Sequence, residues 1–324
     1  MQDPRGAVLI AGPTASGKSA LAVALAERLG GVIINTDSMQ VYDRLALITA
    51  RPDAADCARV PHRLYGVIDP ADAFSAARYA TAAATEIAAV RAEGRVPVLV
   101  GGTGLYFEAL TRGLSEVPPI PDAVRSAVRA RAAELPAPAL HAELAARDPE
   151  MAVRLNPADT QRIARALEVI LATGVSLAEH WRATTPPVLD ETRCLRIVLA
   201  PDREWLGARI DRRFRMMVAA GAIAEAEAVA ALGLDPALPA MRAIGVQALA
   251  EVAAGRRDLE DAITASVAET RRYAKRQDTW FRNRMTGWQR LDPRDINADA
   301  VVSLSGCRPN PPGGPGASGP PPFF

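Results

Sequence analysis

An eight-residue segment near the start of the chain has the composition of a phosphate-binding loop. It matches the pattern Gly-x-x-x-x-Gly-Lys-Ser. Backbone N–H groups of such a loop point at one anion, the lysine neutralises phosphate oxygens, and the serine hydroxyl is placed to bind Mg²⁺. An accidental glycine turn is the alternative interpretation. The segment consists of Gly12, Pro13, Thr14, Ala15, Ser16, Gly17, Lys18 and Ser19.

A carboxylate follows the second apolar run of the chain. Residues 32–34 are apolar, and Asn35, Thr36 and Asp37 come directly after them. Open α/β sheets bind ligands at the carboxyl ends of their strands, so Asp37 is our candidate catalytic base. A helix N-cap or a turn residue is the alternative interpretation of the same aspartate.

The apolar run at residues 96–100 ends differently. Gly101, Gly102 and Thr103 follow it, and no carboxylate is present there. A P-loop protein that hydrolyses a nucleotide needs an acidic residue at such a strand end to hold the water shell of its metal. We therefore expect the bound phosphate ester to undergo a reaction other than hydrolysis by activated water. Phosphoryl transfer by a small-molecule kinase remains open at this point.

The elements around these residues indicate an α/β fold. The apolar runs 7–11, 32–34 and 96–100 predict buried strands, and helical periodicity separates them. Pro97 indicates a sheet edge or the entry to a strand. A further strand-like run at 195–199 precedes a long amphipathic helical region. We expect a P-loop NTPase-like parallel sheet flanked by helices.

The helical pattern of residues 118–187 predicts an insertion domain. This stretch is rich in Ala, Arg and Glu and is punctuated by prolines. The catalytic core then comprises residues 1–117 and 188–307. Residues 308–324 are mostly Pro, Gly and Ser, a composition that predicts a disordered tail.

Charge and hydropathy exclude some classes of protein. The net charge is +1, and no apolar run approaches the length of a membrane span. We expect no membrane association and a cytoplasmic location. Only two of the 38 basic residues are lysines, Lys18 and Lys275.

A cationic segment near the end of the chain suggests a nucleic-acid contact. Residues 271–284 contain six cations, one carboxylate and three aromatic residues, which suits a phosphate backbone with stacking nearby. The alternative is an amphipathic helix with arginines in solvent. Its core stripe would then consist of Ile263, Val267, Ala274 and Phe281.

These motifs together resemble the bacterial tRNA dimethylallyltransferases, over about residues 8–291. Each motif alone is weak, whereas all of them in this order are specific. Besides the P-loop, the matching segments are Thr36-Asp37-Ser38-Met39-Gln40-Val41-Tyr42, Pro61-His62-Arg63, Gly101-Gly102-Thr103-Gly104-Leu105-Tyr106, Gln161-Arg162-Ile163-Ala164-Arg165-Ala166-Leu167-Glu168 and Lys275-Arg276-Gln277.

The resemblance implies transfer of a dimethylallyl group from dimethylallyl diphosphate to N6 of adenosine 37, next to the anticodon of a tRNA. It implies Mg²⁺ as the cofactor, with Ser19 as its protein ligand. The catalytic residues would be Asp37, Thr103 and Lys18, and Arg213 would be a second cation on the diphosphate. Diphosphate is then a leaving group, which accounts for the missing carboxylate after residue 100.

The resemblance also implies contacts with the anticodon stem-loop, over which the insertion domain would close. We expect a monomer, because the RNA supplies the large partner surface. The tRNA-binding positions would be Asp37, Ser38, Met39, Gln40, Thr103, Arg125, Gln161, Arg162, Ile163, Ala164, Arg165, Lys275 and Arg276.

One segment departs from the family pattern. Where Gly-Thr-Ala-Lys-Pro is expected, the chain has Ile48-Thr49-Ala50-Arg51-Pro52, which predicts a differently shaped loop. Two other functions explain fewer of these features than prenyl transfer does. A kinase leaves the cationic segment unexplained, and a non-catalytic RNA-binding protein leaves Lys18, Ser19 and Asp37 unexplained.

Overall fold

A computed structural model describes residues 6–296, 298 and 301 of the chain. The predicted tail at 308–324 lies outside these residues. The described chain divides into two compact units. The larger contains the residues up to Leu110 and from Leu189 onward, and the smaller is Thr111–Val188.

The larger unit is built on a six-stranded sheet in which every pairing is parallel, in the order β3-β2-β4-β1-β5-β6. This confirms the predicted fold class. The strands are β1 Val8–Ala11, β2 Gly31–Asn35, β3 His62–Arg63, β4 Val96–Gly101, β5 Leu195–Leu199 and β6 Gln289–Leu291.

Helices flank this sheet. Before the smaller unit these are α1 Lys18–Leu29, α2 Ala54–Arg59, α3 Ala76–Ala92 and α4 Gly104–Thr111. After it they are α10 Arg203–Ala219, α11 Ala222–Ala230, α12 Val246–Ala253 and α13 Leu259–Arg284. Single 3₁₀ turns occur at Glu191–Arg193 and Ala240–Arg242.

The smaller unit is helical and has its own apolar core. Its helices are α5 Asp122–Glu134, α6 Ala137–Arg147, α7 Pro149–Arg154, α8 Thr160–Thr173 and α9 Leu177–His180. The core includes Leu140, Leu144, Met151, Ile163 and Leu167, all at most 2% exposed. None of the helices in the described part of the chain combines the length and hydropathy that a membrane span requires.

The central strands are short and apolar because both sheet faces are covered. All residues of β1, β2 and β4 are buried. Pro97 lies in β4, an interior strand, so the sheet-edge interpretation of this proline is wrong. Pro97 is the second residue of the strand and precedes Val98, where the pairing with β1 begins. The strand-entry interpretation is confirmed.

Candidate active site

The P-loop connects β1 to α1, and its backbone conformation allows it to surround an anion. Gly17 precedes the helix with φ of 92°, and Ala15 has φ of 64°, a left-handed conformation that is uncommon outside glycine. The helix begins at Lys18, so the free N–H groups of its first turn face the loop. The Ser16 hydroxyl is buried and has no hydrogen-bond partner among the described residues, which leaves it available to a phosphate oxygen.

Three cations border the P-loop. The Lys18 ammonium lies 3.4 Å from the Pro13 carbonyl oxygen. From α10, the Arg209 Nε donates to the Ala15 carbonyl oxygen (2.9 Å), and Arg213 donates to the Thr14 hydroxyl. Arg213, predicted as a second cation on the diphosphate, therefore lies at the loop.

Burial disfavours charge on two of these cations. It lowers the pKa of Lys18 to about 8, while the Asp37 carboxylate raises this pKa and Arg213 lowers it further. Burial also lowers the pKa of Arg213, and Asp37 again opposes the shift. A bound diphosphate would reverse both effects, because it would place negative charge beside each group.

The end of β2 fixes the backbone around Asp37. The Asn35 amide donates to the carbonyl oxygens of Asp37 and Leu64 (3.0 Å each), and its oxygen accepts from the Asp37 N–H (2.9 Å). One Asp37 carboxylate oxygen accepts from the Met39 N–H (3.0 Å). Asn35 and Thr36 are fully buried. The Asp37 carboxylate is thus held at the carboxyl edge of the sheet with its other oxygen free of these backbone contacts.

The end of β4 lies directly beside Asp37. The Thr103 N–H donates to the Thr36 carbonyl oxygen (3.2 Å), and the Thr103 hydroxyl accepts from the Ser38 N–H (2.9 Å). A Cβ at Gly101 would overlap the Thr36 carbonyl, so only glycine permits this approach of the two chain segments. Asp37, Ser38 and Thr103 therefore form one group, as their places after adjacent strands predict.

Helix α13 joins these two strand ends to the P-loop through Gln277. Its oxygen accepts from the Thr14 N–H (2.9 Å), and its nitrogen donates to the Gly102 carbonyl oxygen (2.8 Å). The side chain is only 5% exposed. This glutamine therefore fixes the distance between the phosphate-binding loop and the loop that carries Thr103.

A cavity of about 270 Å³ opens beside these groups within the larger unit. Its polar side includes Thr14, Asp37, Ser38 and Arg213, and its lining also includes Arg276. The apolar lining residues come from α10 and from the loops before α2 and α12; they are Met39, Ile48, Ile210, Phe214, Met217, Ala243 and Ile244. The rest of the lining consists of Thr49, Arg242, Glu269, Thr270 and Tyr273. The cavity therefore combines an anion-binding edge, two carboxylates and an apolar wall.

The residues present are compatible with a cation that is carried by a phosphate ligand. The described part of the chain holds no group of three or more His, Cys, Asp and Glu side chains that could bind a metal alone. Mg²⁺ is usually bound by substrate phosphates and few protein ligands. Ser19, the predicted protein ligand, is an exposed residue in the first turn of α1.

The family model for IPP transferases matches residues 40–284, which is more than half of the chain. The chain belongs to the IPP transferase family. Curated relatives named tRNA dimethylallyltransferase match a longer part of the chain than the family model does. One from Rhodopseudomonas palustris is 57% identical over 90% of this chain and 91% of its own. Another from Bradyrhizobium is 58% identical over 89% of this chain and 93% of its own.

Solved structures share the fold of this transferase. The tRNA isopentenylpyrophosphate transferase of Bacillus halodurans superposes with a TM-score of 0.65 at 34% identity, over 93% of this chain and 94% of that one. A eukaryotic dimethylallyltransferase acting on tRNA gives a TM-score of 0.77 at 26% identity, over 93% of this chain and 77% of that one. The resemblance inferred from the motifs is thereby confirmed.

The predicted tRNA contacts of the transferase fall in both units. Asp37, Ser38, Met39 and Gln40 follow β2, and all are partly exposed. The Gln40 amide donates to the carbonyl oxygens of Thr49 and Ala50 (2.9 Å each), so this side chain holds a loop of the protein. On α13, Lys275 and Arg276 are exposed.

The other predicted contacts lie in the smaller unit. Gln161, Arg162 and Arg165 are exposed on α8, and Arg125 is half-buried on α5. Ala164 is also partly exposed. The Ile163 side chain is fully buried in the core of the smaller unit, and the predicted tRNA contact of this residue stays a prediction. In a helix, one of several consecutive residues must face the core.

Two residues that contact the P-loop carried no predicted role. Gln277 lies on the apolar stripe of α13, three residues after Ala274 and four before Phe281. A glutamine on such a stripe indicates a buried hydrogen-bonded side chain. Arg209 lies one helical turn before Arg213, so both face the same side of α10. These spacings were available in the sequence.

Proposed function

We propose that the protein transfers a dimethylallyl group from dimethylallyl diphosphate to N6 of adenosine 37, 3′ to the anticodon of a tRNA, and releases diphosphate. The observation that carries this proposal is the single cavity that joins the P-loop edge and Arg213 to the Asp37 carboxylate and an apolar wall. Curated relatives more than 55% identical are named tRNA dimethylallyltransferases.

The reaction breaks one bond and forms another at the same carbon. The C1–O bond of the allylic diphosphate breaks, and its electron pair leaves with the diphosphate. The lone pair of the adenine N6 forms the new C–N bond to C1. One N6 proton passes to the Asp37 carboxylate, which then returns it to solvent.

Charge stabilisation of the leaving diphosphate is the proposed role of the P-loop edge. Negative charge grows on the diphosphate as the C–O bond breaks, and preorganised donors stabilise that charge more than they stabilise the substrate. Lys18, Arg213, the Ser16 hydroxyl and the first-turn N–H groups of α1 supply these donors. Mg²⁺, held by the diphosphate and Ser19, would supply further neutralisation of the leaving group.

Asp37 is the proposed proton acceptor. The exocyclic amine of adenine is a weak nucleophile because its lone pair is delocalised into the ring, so removal of its proton during attack favours reaction. The Asn35 side chain accepts from the Asp37 backbone N–H and fixes the backbone, and the Met39 N–H donates to the carboxylate and holds it in place. Thr103, bonded to Ser38 at 2.9 Å, is proposed to position the target nucleotide.

Recognition of the tRNA is proposed to use both units. The base must leave its loop stack to reach a cavity, which requires contacts around it as well as to the phosphates. We propose that residues 118–187 act as the domain that binds the anticodon arm, through Arg125 and the exposed side of α8. Lys275 and Arg276 would contact phosphates from α13. For an enzyme whose substrate is a tRNA, we propose a cytoplasmic location. We also propose that the protein is a monomer.

The test is transfer of label from dimethylallyl diphosphate to tRNA in the presence of Mg²⁺. Wild-type protein is compared with Asp37→Ala, and the normal tRNA with one that has guanosine at position 37. We expect label only with wild-type protein and adenosine 37. No label under any condition, or equal labelling of both tRNAs, would refute the proposed reaction. Full activity of Asp37→Ala would remove Asp37 as the base.

A further inference from the structure

The segment between β2 and α2 supplies part of the active-site cavity without secondary structure of its own. Residues 36–53 contain neither a helix nor a strand. Long irregular segments of this kind are usually functional, and contacts with other parts of the chain must fix their conformation. The residues of this segment that line the cavity are Asp37, Ser38, Met39, Ile48 and Thr49.

One carboxylate of α11 holds a turn within this segment. Glu225 accepts hydrogen bonds from three consecutive backbone N–H groups, those of Ala46 (3.0 Å), Leu47 (2.8 Å) and Ile48 (2.9 Å). Consecutive N–H groups that converge on one point form an anion-binding site, and hydrogen bonds to a charged acceptor are stronger than those to a neutral one. Here the anion is a side chain of the protein itself, 177 to 179 residues further along the chain.

The same turn is closed by its own backbone and packed on the core. The Ala50 N–H donates to the Leu47 carbonyl oxygen and the Arg51 N–H to the Ala46 carbonyl oxygen, both at 2.9 Å. The Ile48 side chain belongs to the buried apolar cluster of the larger unit. The turn therefore keeps its shape, and the carboxylate from α11 fixes the place of the whole turn.

The turn is bonded to the residues around the candidate base. The Gln40 amide donates to the carbonyl oxygens of Thr49 and Ala50 (2.9 Å each). Directly before Gln40, the Met39 N–H donates to the Asp37 carboxylate (3.0 Å). Contacts thus run without interruption from α11, through the turn, to the segment that is predicted to bind the target nucleotide.

The P-loop edge of the cavity is fixed by other contacts. Arg209 donates to the Ala15 carbonyl oxygen, and Gln277 accepts from the Thr14 N–H. These contacts come from α10 and α13. A displacement of the turn should therefore disturb the nucleotide side of the cavity and leave the diphosphate side in place.

We propose that Glu225 is a positioning residue for the target nucleotide. It acts through the turn 46–50 and Gln40 on the residues that contact the tRNA, while Glu225 itself lies outside the cavity lining. This inference rests on the proposed function and adds to it a residue that no motif of the chain includes.

The test compares the full-length wild-type protein with Glu225→Gln and Glu227→Gln in the presence of Mg²⁺. Glutamine keeps the size of the side chain, but it lacks the charge and offers one acceptor oxygen to three N–H groups. Glu227 is exposed on the same helix and provides the matched control. Label transfer gives kcat and KM for tRNA. Inhibition by inorganic diphosphate measures the P-loop edge separately.

We expect Glu225→Gln to lower kcat/KM for tRNA by at least about tenfold, because small displacements of positioning groups have large effects on rate. The inhibition constant of diphosphate should change by less than about twofold, since sites without shared contacts behave independently. Glu227→Gln should match wild type in both measurements.

Two further measurements test the path of contacts. If Gln40 acts through the turn, Gln40→Ala should lower kcat/KM for tRNA by a smaller factor in Glu225→Gln than in wild type. Equal factors in the two backgrounds would overturn the proposed path. Backbone amides 46–48 should exchange hydrogen faster in Glu225→Gln, whereas the exchange of the P-loop amides should not change. This readout does not require activity.

Two other outcomes would overturn the inference. One is wild-type use of tRNA by a Glu225→Gln protein whose turn exchanges faster. The other is a parallel loss of tRNA and diphosphate affinity, which indicates a general loss of structure. If Glu225→Gln does not fold, Glu225→Asp, which keeps the charge on a shorter side chain, gives the same comparison. No transfer by wild type would refute the proposed function and this inference with it, even if amide exchange shows that Glu225 holds the turn.

Discussion

The arginines at the P-loop of the larger unit and the arginines of the smaller unit differ in what they are bonded to. Arg213 and Arg209 donate to a hydroxyl and to a backbone carbonyl at the P-loop, and neither forms an ion pair among the described residues. In the smaller unit, Arg125, Arg162 and Arg165 each face a carboxylate at 3.0–3.5 Å, on Asp122, Asp159 and Glu168, respectively.

This difference separates a site for chemistry from a surface for docking. Cations that have no carboxylate partner in a partly buried cavity remain available to attract a ligand anion. Burial strengthens this electrostatic attraction. Exposed arginines that already have a carboxylate partner gain little from a phosphate, since one ion pair replaces another. We therefore expect large effects on catalysis from the cavity residues and small effects on tRNA binding from the smaller unit.

The largest effect is expected at Asp37, the proposed proton acceptor in the cavity. Asp37→Asn keeps an oxygen that can accept from the Met39 N–H, so the local backbone should be retained. It removes the proton acceptor, and we expect kcat to fall by about 10²–10⁴-fold with little change in the KM for dimethylallyl diphosphate. Single-turnover label transfer measures this loss. An exposed carboxylate in the same segment serves as the control, and Asp43→Asn should retain wild-type activity.

Removal of the charge of Arg213 should weaken diphosphate binding. Arg213→Gln loses a charge-assisted contact in a partly buried site, and we expect the KM for dimethylallyl diphosphate to rise by about 10–100-fold. The neighbouring Arg212 is exposed, so Arg212→Gln should change this KM by less than about twofold. Equal effects of the two substitutions would contradict the contrast between buried and exposed cations. Inhibition by diphosphate measures the same affinity without turnover.

The pH dependence follows from Lys18, whose pKa is lowered to about 8 by burial. Below this pH the free enzyme carries the ammonium charge, and above it the amine is neutral. We therefore expect kcat/KM for dimethylallyl diphosphate to fall by about tenfold per pH unit above pH 8. The value of kcat should depend less on pH in this range, because bound diphosphate raises the pKa of Lys18 again. Lys18→Ala should abolish the decline of kcat/KM above pH 8. If the decline persists in this variant, another group is responsible for it.

The smallest effects are expected in the smaller unit, where two substitutions should change the KM for tRNA in opposite directions. Arg162→Gln should raise the KM for tRNA by roughly two- to fivefold. Asp159→Asn should lower it by about twofold, because it removes the charge that faces Arg162 while asparagine still caps α8. Salt titrations of tRNA binding measure both. Tighter binding by Arg162→Gln would show that this side of α8 does not face the tRNA.

The sequence predicted most of the sheet but missed its two outermost strands. Three strands are built on continuous apolar runs, and β5 is an apolar run interrupted only by Arg196, so all four were recognisable as strands. β3 has only two residues and β6 three, and none of the five is fully buried. Edge strands of this length lack an apolar pattern, because one side borders solvent. The interior position of β4 also could not be read from Pro97, since strand order is set by tertiary packing.

The candidate site was predictable where a motif determines the backbone. The P-loop, Asp37 and Thr103 follow strands, and parallel topology brings strand ends together. The roles of Gln277 and Arg209 were not predicted, because each contacts backbone atoms more than 170 residues away in sequence. The proposed roles of the tRNA-binding residues remain predictions, including that of Ile163, whose side chain is buried in the core.

The hydrogen bonds of Gln277 have a consequence for synthesis of the chain on the ribosome. Residue 14 emerges first, whereas the side chain that receives its N–H follows 263 residues later. A nascent chain can assemble β1, β2 and β4 before α13 exists, but its P-loop and Gly102 loop lack the glutamine that spaces them. A polypeptide released before α13 is made would thus lack β6 of the sheet as well as this link between the two loops of the site. Activity therefore requires that translation has passed α13.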